Sequence, residues 1–260
     1  MNEVVKYHNN MNLVNFNHFT EIEFNIFFAV CQQMRDKNLS EIELSFEKIK
    51  ELIDYKSTSR ERFISDIKKT YKKLLVSTMP IENEEEYIEF VLFTEYKINK
   101  TKDTVLIQTN KKFEYILNAV TSNFTRFELE QFVSLSKTNS KTIYRMLKQF
   151  RMTGFLTIDY PEFLDLIGIA NWGKANINKE FKRIVKDLTP FFKNLVVEKV
   201  KKGGKQTGAI LKLNWTFDPD DKYIGWKNIK VKELEKFYIF LCANFNAGSQ
   251  NYDNFVKKVG

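Results

Sequence analysis

Residues 155–217 read FLTIDYPEFLDLIGIANWGKANINKEFKRIVKDLTPFFKNLVVEKVKKGGKQTGAILKLNWTF. Residues 155–160 alternate apolar and polar as a strand does, and Pro161 suits the start of a short helix over residues 162–169, where its missing N–H is one that a helix start leaves unpaired. After the polar loop 171–175, Phe181, Ile184, Val185 and Leu188 recur at three- and four-residue spacing and predict a longer helix. Two β-rich segments, 195–200 and 209–217, flank residues 201–208, where Gly203, Gly204 and Gly208 permit the backbone to reverse. A hairpin is predicted there.

Immediately upstream, residues 130–152 predict one helix with Ile143, Met146, Leu147 and Phe150 on a face, ended by Gly154. The order is helix, strand, helix, helix, hairpin. The same order occurs once more, nearer the start. Thr20 and Glu23 stand in capping-box relation ahead of Phe24, Phe27, Phe28 and Cys31, which predicts an amphipathic helix over residues 20–37. Ile42, Leu44 and Phe46 alternate as a strand, and Ile49, Leu52 and Ile53 mark a short helix. Thr58 and Glu61 repeat the capping pattern before Phe63, Ile67, Tyr71 and Leu74, the stripe of a helix whose other face is basic. Residues 87–98 and 104–109, rich in β-formers, are expected to form a long hairpin around the polar break 99–103. The two units share internal spacing: Phe46 to Phe63 is seventeen residues and Phe163 to Phe181 eighteen.

This order is that of a winged helix, in which the later helix enters a DNA groove and the hairpin flanks it. The expected fold class is therefore α+β: two tandem winged helices, residues 1–123 and 124–218, followed by a helical extension over residues 219–260 patterned on Leu234, Phe237, Tyr238 and Leu241. A chain of 260 residues with 43% apolar and 15% aromatic content has material for two cores. The longest apolar run, residues 26–31, is too short to cross a bilayer, and no signal-peptide pattern opens the chain, so a soluble cytoplasmic protein is expected. Cys31 and Cys242 are far apart and read as reduced thiols; His8 and His18, without a cysteine cluster, make no zinc spacing, so no metal or other cofactor is expected.

Net charge +8 points to a polyanionic partner. It is concentrated: residues 137–205 hold fifteen Lys and Arg against six Asp and Glu. Lys179, Lys182, Arg183 and Lys186 are read as the cationic face of the longer helix, opposite its apolar stripe, with Lys174 just ahead of it as a further DNA-binding candidate, and Lys199, Lys201, Lys202 and Lys205 as a basic wing. Lysine on a helix often only meets water; here the face falls in the recognition-helix slot with a basic turn behind it. Asn176 and Asn178 suit either adenine edges or a helix cap. In the first unit Lys56, Ser57, Arg60 and Arg62 suit phosphates, while Ser57 to Ser59 equally suit capping. By contrast, residues 82–96 carry six Glu and no cation, so that strand repels DNA and is the expected dimer edge. Trp172, Trp215 and Trp226 are read as packing residues.

No enzyme is expected. Around Gly203, Gly204 and Lys205 the earlier glycine of a phosphate loop is replaced by Lys199 and the Ser/Thr position is Gln206. Asp218, Asp220 and Asp221 surround Pro219 and read as a turn rather than a metal site. A nicking initiator would need a histidine pair on a strand, which is missing.

The opening VVKYHNNMNLVNFNHFTEIEFNIFFAVCQQMRDK and, more specifically, SKTIYRMLKQFRMTGF at residues 140–155 resemble plasmid replication initiators of the tandem winged-helix, iteron-binding Rep family from theta-replicating plasmids of Gram-positive bacteria. The resemblance implies binding of double-stranded DNA at short direct repeats of an origin, origin opening, recruitment of host replication proteins and self-repression as a homodimer. It would put Lys179, Lys182, Arg183 and Lys186 on the second recognition helix and Arg60 and Arg62 on the first. A dedicated transcriptional repressor is the rival reading, since operator and origin binding use the same contacts.

Overall fold

A computed structural model of the protein describes residues 3–35, 41–82, 85–118, 123–204 and 208–219. It divides the chain into a unit of residues 1–218 and a second of residues 219–260. The helical extension expected after residue 218, with Trp226 and Cys242, lies outside the described residues, as do Lys205 and Gln206.

The larger unit opens with strand β1 (Val4–His8) and a 3-10 turn (Asn9–Leu13), leading to helix α1 (Glu21–Met34). The capping box at the start of α1 is reciprocal: Thr20 N–H donates to Glu23 Oε2 at 2.7 Å, and Glu23 N–H to Thr20 Oγ1 at 3.4 Å. The expected amphipathic character is not seen, because Phe24 through Cys31 are all buried. Helix α1 is covered on several sides, by β1 and by three of the helices that follow it.

Strand β2 (Glu41–Ser45) alternates exposed and buried residues, and Ser45 Oγ caps α2 (Phe46–Leu52) by accepting from Lys48 N–H. Helix α3 (Arg60–Leu74) follows, packed on α1. Its cap is Ser59, whose Oγ accepts from Arg62 N–H at 3.1 Å, and not the expected Thr58. The expected long hairpin is also different. Strand β4 (Tyr87–Val91) pairs with β3 (Thr78–Glu82), while β5 (Phe93–Asn99) pairs with β6 (Thr104–Thr109). The chain changes sheets at Leu92, which is fully buried, donates to Ser77 O and accepts from Asn110 N–H. Helix α4 (Lys111–Leu117) then leads toward β7 (Phe124–Glu128).

Two helices stand where one was expected: α5 (Leu129–Ser134) and α6 (Thr138–Gln149), parted by extended residues at Leu135 and Lys137. The break is stabilised from within, since the buried Lys141 ammonium donates to the Phe132 and Val133 carbonyls at the end of α5. Beyond α6 come β8 (Phe155–Asp159), α7 (Tyr160–Leu166), α8 (Lys174–Leu188), β9 (Val196–Lys201) and β10 (Ile210–Thr216).

Two winged helices result, with matching sheets: β2-β6-β5 in the first and β8-β10-β9 in the second, antiparallel throughout. Equivalent aromatic pairs tie the two later helices of each together, Phe46 edge-on to Phe63 at 5.3 Å and Phe163 to Phe181 at 5.9 Å. Burying a ring of this size contributes about 1.5–3 kcal/mol. The winged helices are also joined to each other. Strand β1 pairs antiparallel with β7, Val5 opposite Phe127 and Tyr7 opposite Thr125, and α1 packs on α5, so one apolar core runs through both.

Candidate nucleic-acid interface

Helix α8 is two-sided because its apolar residues recur at helical spacing: Ile177, Phe181, Ile184 and Leu188 are buried. Lys174 in the first turn is exposed, as are Asn176, Asn178, Lys179, Lys182 and Lys186 around the rest of the helix. Gly173 is the N-cap and offers no side-chain acceptor, so neither asparagine is the cap that their position suggested.

Arg183 departs from the expectation. It is half-buried, and its guanidinium donates to both oxygens of Glu180 and, at 3.3 Å, to Asp187 Oδ2. Those carboxylates are held in turn by α6, where Asn139 donates to Glu180 at 2.6 Å and Ser140 to Asp187 at 2.7 Å. Burial raises the Glu180 carboxyl, but the Arg183 and Asn139 hydrogen bonds outweigh it and hold the group below the usual carboxylate range. Through these carboxylates the Arg183 guanidinium takes part in the seam between α6 and α8.

The wing meets α8 through Lys199. Its ammonium lies 3.3 Å from Asn178 Oδ1 and 4.6 Å above the Phe181 ring. Burial depresses its pKa, and Lys201 and Lys182 depress it further, a sign that three cations from strand and helix share one region. Lys202 is exposed in the turn at the tip of β9, where Gly203 takes φ +67. Such a cluster attracts phosphate and repels other cations.

In the first winged helix the expected residues divide. Arg60 is turned toward its own wing: its fork donates to Asp103 Oδ1, Nε at 3.0 Å and Nη2 at 2.6 Å, and to the Lys100 carbonyl. Lys56 is exposed but ion-paired with Asp54 at 2.5 Å, and Ser57 Oγ accepts from Ser59 N–H, a local turn. Arg62 is exposed on the outer side of α3, with Lys68, Lys69 and Lys72. Sequence reading passed over the turn of the β5–β6 hairpin, where Lys100 and Lys102 are exposed beside Lys97 of β5; two lysines in a polar break between strands were the available signal. It also read Trp172 as packed. Trp215 is fully buried, whereas Trp172 is 46% exposed just ahead of α8.

Among the described residues no group of three His, Cys, Asp or Glu stands close enough to hold a metal, and no helix is long and apolar enough to cross a membrane.

The family model described as Initiator Replication protein, WH1, matches residues 4–148 of this chain. The probable replication protein rep of Bifidobacterium longum (strain NCC 2705) is 30% identical over 194 residues, 73% of this chain; the chain spans 65% of that curated relative's length. Among solved structures, the Pi initiator protein in complex with iteron DNA matches with a TM-score of 0.64 at 11% identity, over 85% of this chain and 98% of its own. At that identity the likeness is one of fold.

Proposed function

The chain belongs to the Initiator Replication protein family, and from that premise we propose that it is a plasmid replication initiator that binds repeated origin DNA through both winged helices. The observation that carries the reading is the contact of Lys199 in the wing with Asn178 and Phe181 of α8, which brings the lysines of the wing strand beside the exposed lysines of the helix. Residues 124–218 supply the main DNA contact, through Lys174, Lys179, Lys182 and Lys186 on the helix, Lys199, Lys201 and Lys202 behind it and, as a candidate from sequence alone, Lys205. Residues 1–123 add a second contact through Arg62 and the lysines of the first wing, and a homodimer edge through the acidic ribbon. A relative in fold has been seen with iteron DNA, which supports double-stranded repeats as the ligand.

The protein acts in the cytoplasm, by binding and bending rather than by any bond-breaking step, and hands the opened origin to host replication proteins. The test is footprinting on the DNA flanking its gene, combined with permanganate reactivity on a supercoiled template. Protection of direct repeats with reactive thymines beside them is expected, as is a steep fall of affinity with salt. Protected repeats without opening would favour a dedicated repressor; salt-independent binding, or nicking with Mg²⁺ or Mn²⁺, would sink the reading.

A further inference from the structure

Arg145 is fully buried, yet its hydrogen-bond acceptors are not carboxylates. Nη1 donates to the Met11 carbonyl at 2.9 Å and to Asn12 Oδ1 at 3.3 Å, and Nη2 to the Val14 carbonyl at 2.9 Å. The guanidinium also lies over two rings, 5.0 Å from Phe16 and 5.9 Å from Phe24 of α1. Asn12 extends the contact: its Oδ1 accepts from the Tyr7 hydroxyl, and its Nδ2 donates to Thr125 Oγ1 at 2.9 Å and Gln149 Oε1 at 2.7 Å. Thus α6, in the second winged helix, is gripped by the N-terminal arm and α1 of the first.

Burying a cation without a counter-charge costs stability that an apolar side chain would not lose. What a guanidinium supplies in exchange is direction, since its rigid fork fixes several acceptors in one plane. The first turns of α1 and of α6 each lead to a candidate DNA helix. On one side Glu23 of α1 is paired with Lys73 of α3 at 2.6 Å. On the other, Asn139 and Ser140 of α6 hold Glu180 and Asp187 of α8. A chain of specific contacts therefore runs from α3 through Glu23, Phe24, Arg145 and α6 to α8, with Arg145 at its middle.

We infer that Arg145 is a positioning residue that fixes the distance and rotation between the two DNA-contacting helices, and so sets which spacing of half-sites the protein accepts. The inference rests on the proposed DNA-binding function. Two linked modules gain affinity only when both can engage at once. Five extra base pairs turn one half-site about half a helical turn away from the other, and a rigid junction cannot follow.

The experiment uses the full chain and a duplex selected by it from a random library, with two or five base pairs inserted between the halves that footprinting defines. The wild-type protein should lose about 100-fold in affinity on the five-base-pair insertion. Arg145→Lys, which keeps the charge and loses the fork, and Asn12→Ala should each lose less than about 10-fold, while binding the isolated α8 half-site as wild type does. A purely structural role would not alter the spacing profile. Variants that keep the wild-type loss, or a wild-type protein that tolerates insertions, would overturn the inference and leave DNA binding intact. So would loss of the folding transition in both variants, since Arg145 would then serve the core alone. If the wild-type chain selects no duplex, it is the proposed function that fails.

Discussion

Lys199 of β9 reaches across to α8 and donates to Asn178 Oδ1 at 3.3 Å. The contact joins wing and helix, and it also decides what Asn178 is able to read. Recognising adenine takes the asparagine oxygen and nitrogen together, and here the oxygen already faces an ammonium. Asn178→Ala should therefore change base preference at no position by more than about 1 kcal/mol. Lys199→Ala should lower the slope of log affinity against log salt by about one, because a cation is removed from the cluster proposed to meet phosphate. Selection of sites by each variant, with titrations at several salt concentrations, checks both; a base position that relaxes in Asn178→Ala would restore the reading role.

Lys182 and Arg183 are neighbours with opposite expected phenotypes. Lys182 is exposed, and Lys182→Ala should weaken every duplex alike, reduce the salt slope by about one and leave the melting temperature unchanged. Arg183 instead bridges Glu180 and Asp187. Arg183→Ala leaves two carboxylates facing α6 without their cation and should cost about 1–2 kcal/mol of stability. Thermal melts beside binding curves separate the two, and an Arg183→Ala protein of wild-type stability with a relaxed guanine preference would reverse the assignment.

Lys141 gives the protein a pH signature. Burial lowers its pKa from 10.5 to about 7 despite the opposing pull of Glu21. Between about pH 7 and 10 the unfolded chain binds this proton and the folded chain does not, so stability rises with pH through that window, by at most about 1.4 kcal/mol per unit. Below about 7 both states carry it and the dependence ends. Melts at pH 7, 8 and 9 should show wild type gaining on Lys141→Met, whose side chain fills the same space without a charge. Parallel curves would show that the ammonium stays protonated in the fold.

Lys141 also illustrates what was legible in the sequence. Local periodicity was enough for the repeated winged helix, because Phe46 and Phe63, like Phe163 and Phe181, meet within one unit and mark it by their spacing. Long-range pairing leaves no such mark. Residues 4–8 read as part of an opening segment, and only the fold brings them beside residues 124–128. Charge was legible in amount and not in place: among the fifteen cations of residues 137–205, Lys141, Arg145 and Arg151 are buried, and Lys137, Arg183 and Lys193 are ion-paired. A count of lysines and arginines cannot say which have already found acceptors inside the protein: on α8 the sequence groups Arg183 with the exposed lysines, and only the fold shows its two carboxylate partners.

That first wing carries the last prediction. Arg60, at the start of α3, is locked to Asp103 in the β5–β6 turn, and Asp103 sits at φ +51, a backbone state that asparagine accepts with little strain. Asp103→Asn should therefore keep the turn while removing its carboxylate. Two effects on DNA then act in the same direction: a negative charge leaves the neighbourhood of Lys100 and Lys102, and the Arg60 guanidinium is released from its ion pair. Non-specific affinity should rise and the salt slope steepen by about one. The ion pair is half-exposed, so its loss should leave the melting temperature nearly unchanged. Titration with a random-sequence duplex measures the affinity, and a melt measures the cost. If Asp103→Asn binds DNA with the wild-type slope, the turn between β5 and β6 does not lie against the phosphates and the first winged helix contacts DNA elsewhere. A weaker slope would mean that the Arg60–Asp103 pair positions the wing for binding rather than restraining a cation.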